Sequence, residues 1–277
     1  MNLTTIYSRR SAWSHKGDFG AVLVIGGSSN HTGSPIFNAG AALRAGTDLT
    51  YLVGPKRAMD VAACSMPDFI THPLDGELSA RHVSYVLKLS RKATACIIGG
   101  GLARTSETYR TIREILSKIS VPLVIDAEAI RAVGQNATCV KGKIAILTPH
   151  ADEFFALTDV RVTQSVRVRE QEVRNAAKRF CTIILLKGNT DIISDGSKCI
   201  RNKTGTPYMT KGGCGDTLAG ICGALLARGI DPLRAACAAA YINGRAGEKA
   251  AKKYGEGMLA SDLLHEIANV ICNPKKS

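Results

Sequence analysis

Aromatic residues are scarce in this 277-residue chain: seven Tyr, six Phe and a single Trp make up 5% of it. Few flat rings are present for nucleic-acid bases to stack on, so a formal net charge of +13 does not by itself indicate a nucleic-acid binder. The basic residues are also scattered. Their densest stretch, Arg161 to Arg179, includes Glu170 and Glu172 and reads as the solvated face of a helix. A small polyanion such as a nucleotide accounts for the sign of the charge equally well. We therefore expect a small-molecule partner and no nucleic acid.

Long apolar runs are missing too. The run from Thr217 to Ala227 is too short to cross a bilayer and has Asp216 at its head. The start, MNLTTIYSRRSAWSHKG, lacks the apolar core of a signal peptide. These absences predict a cytoplasmic protein with no membrane association. The nine cysteines form no CxxC pair, and Cys96 and Cys181 fall in strand-like apolar runs, which argues against a disulfide framework or a zinc site. No Pro/Ser-rich linker, composition break or repeat divides the chain, so a single domain over residues 1–277 is expected. Its 45% hydrophobic and 21% charged residues suffice for a folded core.

What is present is an alternation of short apolar runs with helical patterns, the signature of a layered α/β fold around a mostly parallel sheet. Strands are predicted at Ala21–Ile25, Leu49–Val53, Ala95–Ile98, Leu123–Ile125, Ile144–Leu147 and Thr182–Leu186. Thr190–Ser194 and Lys198–Arg201 flank Asp195-Gly196, a hairpin turn signal, and predict an antiparallel edge. Helices are expected at Pro35–Ala45, Thr105–Ser120, Val168–Phe180, Asp216–Arg228, Pro232–Tyr254 and Ser261–Ile271, with Ser261-Asp262 as the last N-cap. The Ala235–Ala240 stretch fits either subunit packing or an interior helix.

Chemistry concentrates in a few glycine-rich turns. Lys211-Gly212-Gly213-Cys214-Gly215-Asp216-Thr217 opens a long apolar helix. Its glycines allow close backbone approach, and the helix start offers unpaired amides to an anion such as phosphate. Asp216 could cap that helix, or could take a proton from a hydroxyl attacking the phosphate. Neither a Walker loop nor a complete GxGxxG after a strand is present. Gly26-Gly27-Ser28-Ser29 and Gly99-Gly100-Gly101 each end a predicted strand, where ligands bind in parallel sheets. His150 and Glu153, in Thr148-Pro149-His150-Ala151-Asp152-Glu153, fit either an imidazole near substrate with a metal-side carboxylate or a plain helix start. Lys187, heading Lys187-Gly188-Asn189-Thr190-Asp191, could neutralise a nucleotide phosphate or simply be exposed. His15, His72 and His82 stand without such company.

Together these residues resemble the ADP-dependent NAD(P)H-hydrate dehydratases of the ribokinase-like superfamily, over about Gly20 to Ile271. Gly26-Gly27-Ser28 through Gly33-Ser34-Pro35, followed by Ala41-Ala42-Leu43-Arg44-Ala45-Gly46, is similar to the family's substrate loop and helix. Gly99-Gly100-Gly101-Leu102 resembles its GPGLG turn, and Asp126-Ala127-Glu128-Ala129-Ile130 its DADAL segment. Thr148-Pro149-His150 with Glu153 resembles TPHxxE. Asn202-Lys203-Thr204-Gly205-Thr206-Pro207 and Met209, running into Gly212 to Asp216, resemble the NxTGxxxM…GGxGD block. Cys214 departs from the usual Ser or Thr, Asp191 from Thr, Gly100 from Pro and Ala103 from Gly, and His31-Thr32 stand where an aromatic is common.

The resemblance implies a three-layer α/β/α fold with a mostly parallel central sheet and an antiparallel edge. It also implies a metabolite-repair lyase that dehydrates the S-form of hydrated NADH or NADPH at the expense of ADP (or ATP) with Mg2+. By residue, it implies Asp216 as base with the amides of Gly213 and Gly215 on the transferring phosphate. Asn38, Gly101, His150 and Asp216 would line the hydrate pocket. Lys187, Gly188, Asn189, Thr190, Asp191 and Gly215 would hold the nucleotide, and Glu153 would reach a metal through water. It suggests a homo-oligomer, with a tetramer one candidate state, and this length leaves no room for a fused epimerase domain. A small-molecule kinase of the hydroxymethylpyrimidine or hydroxyethylthiazole type, and a non-catalytic nucleotide or nucleic-acid binding module, are the competing expectations.

Overall fold

The alternation of apolar runs and helical patterns builds a nine-stranded sheet covered on both faces. The computed structural model describes residues 2–272. In chain order the elements are β1 (Ala21–Ile25), α1 (Gly33–Arg44), β2 (Leu49–Pro55), α2 (Lys56–Ser65), β3 (Ile70–Leu74), α3 (Val83–Ser90), β4 (Ala95–Ile98), α4 (Ser106–Lys118), β5 (Leu123–Ile125) and α5 (Ala127–Gln135). Then come β6 (Ala145–Leu147), α6 (Ala151–Thr158), α7 (Val166–Phe180), β7 (Ile183–Leu186), β8 (Asp191–Ser194), β9 (Cys199–Asn202), α8 (Cys214–Ala227), α9 (Pro232–Tyr254) and α10 (Ala260–Cys272).

The strand order is β3-β2-β1-β4-β5-β6-β7-β8-β9, parallel from β3 to β7 and antiparallel for β8 and β9. Strands β1, β4, β5, β6 and β7 are buried along their whole length, as expected where helices cover both faces. Residues of α1, α2, α8, α9 and α10 form one core with Val22, Val24, Leu52 and Ile97. Residues of α3, α4, α5, α6 and α7 form the other with Leu23, Ile25, Cys96 and Ile98. The expected three layers, and the hairpin around Asp195-Gly196, are both observed.

The chain reverses its direction of sheet growth at β1, which lies between β2 and β4. In parallel sheets such a switch point opens a crevice at the carboxyl ends of the strands. Two of the glycine turns meet there: the Gly27 N–H donates to the Gly100 carbonyl at 2.9 Å, and the Gly26 N–H to Val53 at 3.2 Å. On the same edge α1 packs closely on α8: a Cβ on Gly220 would lie 2.4 Å from the Asn38 carbonyl and 2.7 Å from the Ala41 Cβ, so little side-chain bulk separates the two backbones.

Several expectations are corrected. The last helix begins at Ala260, one residue before Ser261. Asp262 accepts the Leu259 N–H at 2.8 Å, so its carboxylate ties down the residue ahead of the helix. The helix at Asp216 begins two residues earlier, at Cys214. Cys181 is not in a strand: it ends α7 in the left-handed region at φ 50° and is exposed. Within Arg161–Arg179 the solvated-face reading fails at Arg169, which is 9% exposed. Strand β3 and helices α2, α3 and α5 were not anticipated. The alanines from 235 to 240 are buried in the chain's own core, which favours the interior-helix reading.

Candidate active site

The base of the site is the start of α8. Gly213 sits at φ +98°, a backbone state open to glycine, and a Cβ there would lie 2.7 Å from the Ala260 Cβ and 2.8 Å from the Phe37 ring. No described side chain caps this helix; the Cys214 N–H donates to the Lys211 carbonyl at 3.4 Å, and a helix start is where the following amides can meet an anion. The turn is braced from behind. The Thr217 hydroxyl and the Asn243 amide both donate to the Cys214 carbonyl, at 2.8 and 3.2 Å, and Thr217 also bonds Asn243 Oδ1 at 2.8 Å. Cys214 itself turns into a small apolar cluster with Met258 and Leu263, and burial pushes its thiol up to about 11. The position expected to carry a hydroxyl is therefore filled as a small hydrophobe.

Asp216 faces the crevice. A Cβ on Gly100 would lie 2.8 Å from Asp216 Oδ1 and 3.1 Å from Asn38 Oδ1, so the β4 turn, α1 and α8 converge on one spot. Asn38, 1% exposed, donates from Nδ2 to the Asp216 carbonyl at 2.8 Å, which fixes α1 to the first turn of α8. Gly101 lies one residue further along the same turn, where a Cβ would be 3.1 Å from the His31 carbonyl. Burial, then the nearby Asp126 charge, raise the Asp216 carboxyl to about 7, against the Lys187 charge and a Ser34 hydrogen bond that lower it.

Lys187, at the carboxyl end of β7, is the cation of the site. Its Nζ lies 3.1 Å from Asp126 Oδ1 and 3.5 Å from Glu153 Oε2, and a Cβ on Gly215 would be 3.4 Å from it. Burial opposes the ammonium form, but Asp126 and Glu153 outweigh it and hold the Lys187 pKa above its ordinary value. Asp126 also accepts the Thr148 hydroxyl at 2.8 Å, and the next residue, Ala127, is held at φ +47°, a strained state for a residue with a Cβ. Sequence reasoning placed Asp126 only within a motif segment; its side-chain partners, Thr148 and Lys187, come from two distant parts of the chain.

His150 caps α6. Its Nδ1 accepts the Asp152 and Glu153 amides at 3.1 and 3.4 Å, so the ring proton belongs on Nε2, which lies 3.2 Å from Glu153 Oε1. Glu153 completes a capping box by accepting the His150 N–H at 2.9 Å. Burial pushes the Glu153 carboxyl up, but His150 and Lys187 together bring it down to about 2. The plain helix-start reading of this segment is borne out, and the same start places Glu153 beside Lys187.

The turn from Lys187 to Asp191 joins β7 to β8. Gly188 and Asn189 are exposed and Thr190 is half-buried. Asp191 accepts the Gly188 N–H at 3.0 Å and the Asn202 Nδ2 at 2.9 Å, so its carboxylate shapes the turn. No group of three or more His, Cys, Asp or Glu among the described residues is arranged to hold a metal ion. The acidic donors present, Asp126 and Glu153, are paired with Lys187. Such a set suits a hard ion held mainly by phosphate oxygens and water.

The family model described as NAD(P)H-hydrate dehydratase matches residues 22–269. The chain is 43% identical over 265 residues to the bifunctional NAD(P)H-hydrate repair enzyme of Pyrobaculum aerophilum, covering 95% of this chain and 52% of that enzyme. It thus spans about half the length of the bifunctional relatives it matches. It is 40% identical over 270 residues to the ADP-dependent (S)-NAD(P)H-hydrate dehydratase of Nitrosopumilus maritimus, covering 96% of this chain and 93% of that one. Among solved structures it resembles the ADP/ATP-dependent NAD(P)H-hydrate dehydratase of Bacillus subtilis co-crystallised with ATP and Mg2+. The TM-score is 0.83 at 25% identity, covering 98% of this chain and 95% of that one. The fold is the ribokinase-like one.

Proposed function

Because the chain belongs to the NAD(P)H-hydrate dehydratase family, we propose that it is an ADP-dependent (S)-NAD(P)H-hydrate dehydratase, a hydro-lyase that returns damaged NADH or NADPH to use. The observation that carries the reading is the placement of Asp216 in the first turn of α8, beside Lys187 and facing Gly100 and Asn38.

Hydroxide leaves a ring carbon poorly, whereas phosphate leaves readily. Asp216, with its carboxyl poised at about 7, takes the proton from the ring hydroxyl as that oxygen attacks the terminal phosphorus of ADP. The P–O bond to AMP breaks and AMP departs. The C–O bond of the phosphorylated ring then breaks, phosphate leaves with the former hydroxyl oxygen, and loss of a ring proton restores the double bond. The amides of Gly213 and Gly215 meet the charge that grows on the transferring phosphoryl group, and Lys187 counters the charge of the nucleotide. Asn38, Gly101 and His150 line the hydrate side; Gly188, Asn189, Thr190 and Asp191 form the turn on the nucleotide side. When bound, Mg2+ would neutralise phosphate oxygens, with Glu153 reaching it through water.

The test is turnover of hydrated NADH or NADPH with ADP and magnesium, following the near-ultraviolet absorbance of the reduced nicotinamide. Free phosphate and AMP should appear in step with the recovered cofactor. A stable phosphorylated alcohol as the end product would instead identify a kinase and sink the reading.

A further inference from the structure

The nucleotide turn rests on a buried cation that sequence reasoning assigned to solvent. Arg169, on α7, is 9% exposed, and its guanidinium lies beneath Gly188, with Cζ 3.0 Å from where a Cβ of that residue would be. Its Nη2 donates to the Lys187 carbonyl at 3.3 Å. The N–H of that same peptide unit, on Gly188, donates to Asp191 Oδ1 at 3.0 Å. One peptide plane is therefore gripped at its carbonyl by a cation and at its amide by an anion. Asn202 holds the second oxygen of Asp191, and the Lys187 N–H donates to the Pro149 carbonyl at 2.8 Å.

Resting on the function proposed above, we infer that Arg169 is a positioning residue for the nucleotide: with Asp191 it clamps the peptide between Lys187 and Gly188, and so fixes Lys187 at the ligand edge. Burying a guanidinium costs stability unless its charge and donors are met, and solvent could have received it on this outward helix. The buried placement instead supplies a charge for Asp191 and a stop for the Lys187 carbonyl. It also gives residue 188 a part in the clamp, since a Cβ there would push the Arg169 guanidinium from its place. A free turn would swing Lys187 away from Asp126 and Glu153, and its ammonium would no longer wait where the nucleotide's phosphates arrive.

The experiment compares wild type, Arg169→Met, Arg169→Lys and Gly188→Ala in the full chain. Readouts are the Kd for ADP by calorimetry, KM for ADP, KM for the hydrate, and Tm. Arg169→Met and Gly188→Ala are each expected to weaken ADP about tenfold in both Kd and KM, with the hydrate KM within about twofold. Arg169→Lys should recover part of the loss, because a point charge still faces Asp191 but cannot also lie flat beneath Gly188. An unchanged Kd for ADP in Arg169→Met overturns the clamp, as does a parallel loss for both substrates that merely tracks a fall in Tm. A wild type that neither binds ADP nor turns over takes the proposed function down with it. A wild type that turns over and is indifferent to residue 169 removes the clamp alone.

Discussion

Replacing Asp216 by Asn removes a charge and almost no volume, and so separates the two consequences of that carboxyl. In the folded chain burial and Asp126 raise it from an ordinary 3.8 to about 7. At ~1.4 kcal/mol per pH unit the difference amounts to about 4 kcal/mol against the ionised form, and solvent reaching the crevice brings the observable part to ~2 kcal/mol. The folded value lies above the unfolded one. This group therefore costs nothing below about pH 4, costs progressively more between pH 4 and 7, and costs its full amount above about 7. Asn cannot ionise. At pH 8 Asp216→Asn should melt about 4–6 °C higher than wild type, and the gap should close as the pH falls toward 4. Turnover should fall by about 10²–10⁴, the usual contribution of a positioned base. Melting curves from pH 5 to 8, paired with the absorbance assay, test both halves. A variant that melts lower at pH 8, or that keeps more than about a tenth of wild-type turnover, would refute the reasoning.

Three further outcomes are expected. In wild type, kcat/KM should decline about tenfold per pH unit below about 7, as Asp216 takes up its proton; a flat profile from pH 5 to 8 would contradict the assignment of the base. Lys187→Met leaves Asp126, Glu153 and Asp216 without their shared cation, and denaturant unfolding at pH 8 should show a loss of about 3–5 kcal/mol, with the acid limb of any residual activity moved above pH 7. Gly213→Ala must adopt φ +98° and place a Cβ 2.7 Å from Ala260, so it should cost about 2–4 kcal/mol in the same unfolding measurement and lower turnover; a variant of wild-type stability would mean that the turn is slack.

The sheet was legible because its strands are short, apolar and bounded by glycine turns, a pattern that depends only on neighbours in the chain. β3 was not, since Ile70-Thr71-His72-Pro73-Leu74 is half polar and stands at the sheet edge, where only one side needs a partner. Glycine and Asp216 at the head of α8 were readable for the same local reason. Asp126 was readable only through a family motif, because what makes it matter is a lysine 61 residues on, together with Thr148. Arg169 was misread outright: in a window dense with Arg and Glu the solvated reading is the natural one, and only the approach of Gly188 from another element reveals the buried guanidinium. A conspicuous glycine directly after a strand-end lysine was the available signal.

The same long-range pairing explains how the site is tuned. Asp126, Glu153 and Asp216 place three carboxyls around one ammonium, and that ammonium is divided unequally among them. Asp126 and Glu153 hold it within salt-bridge distance, and Glu153 stays ionised down to about pH 2, while at Asp216 burial and the Asp126 charge outweigh its pull and the carboxyl sits at about 7. Asp216 becomes the proton-accepting carboxyl because burial and the neighbouring Asp126 charge disfavour its anion by more than Lys187 favours it. The position of Lys187 therefore moderates the basicity of Asp216 while it prepares the site for phosphate. Moving the lysine by loosening its turn would disturb both functions through a residue that never meets the reacting atoms.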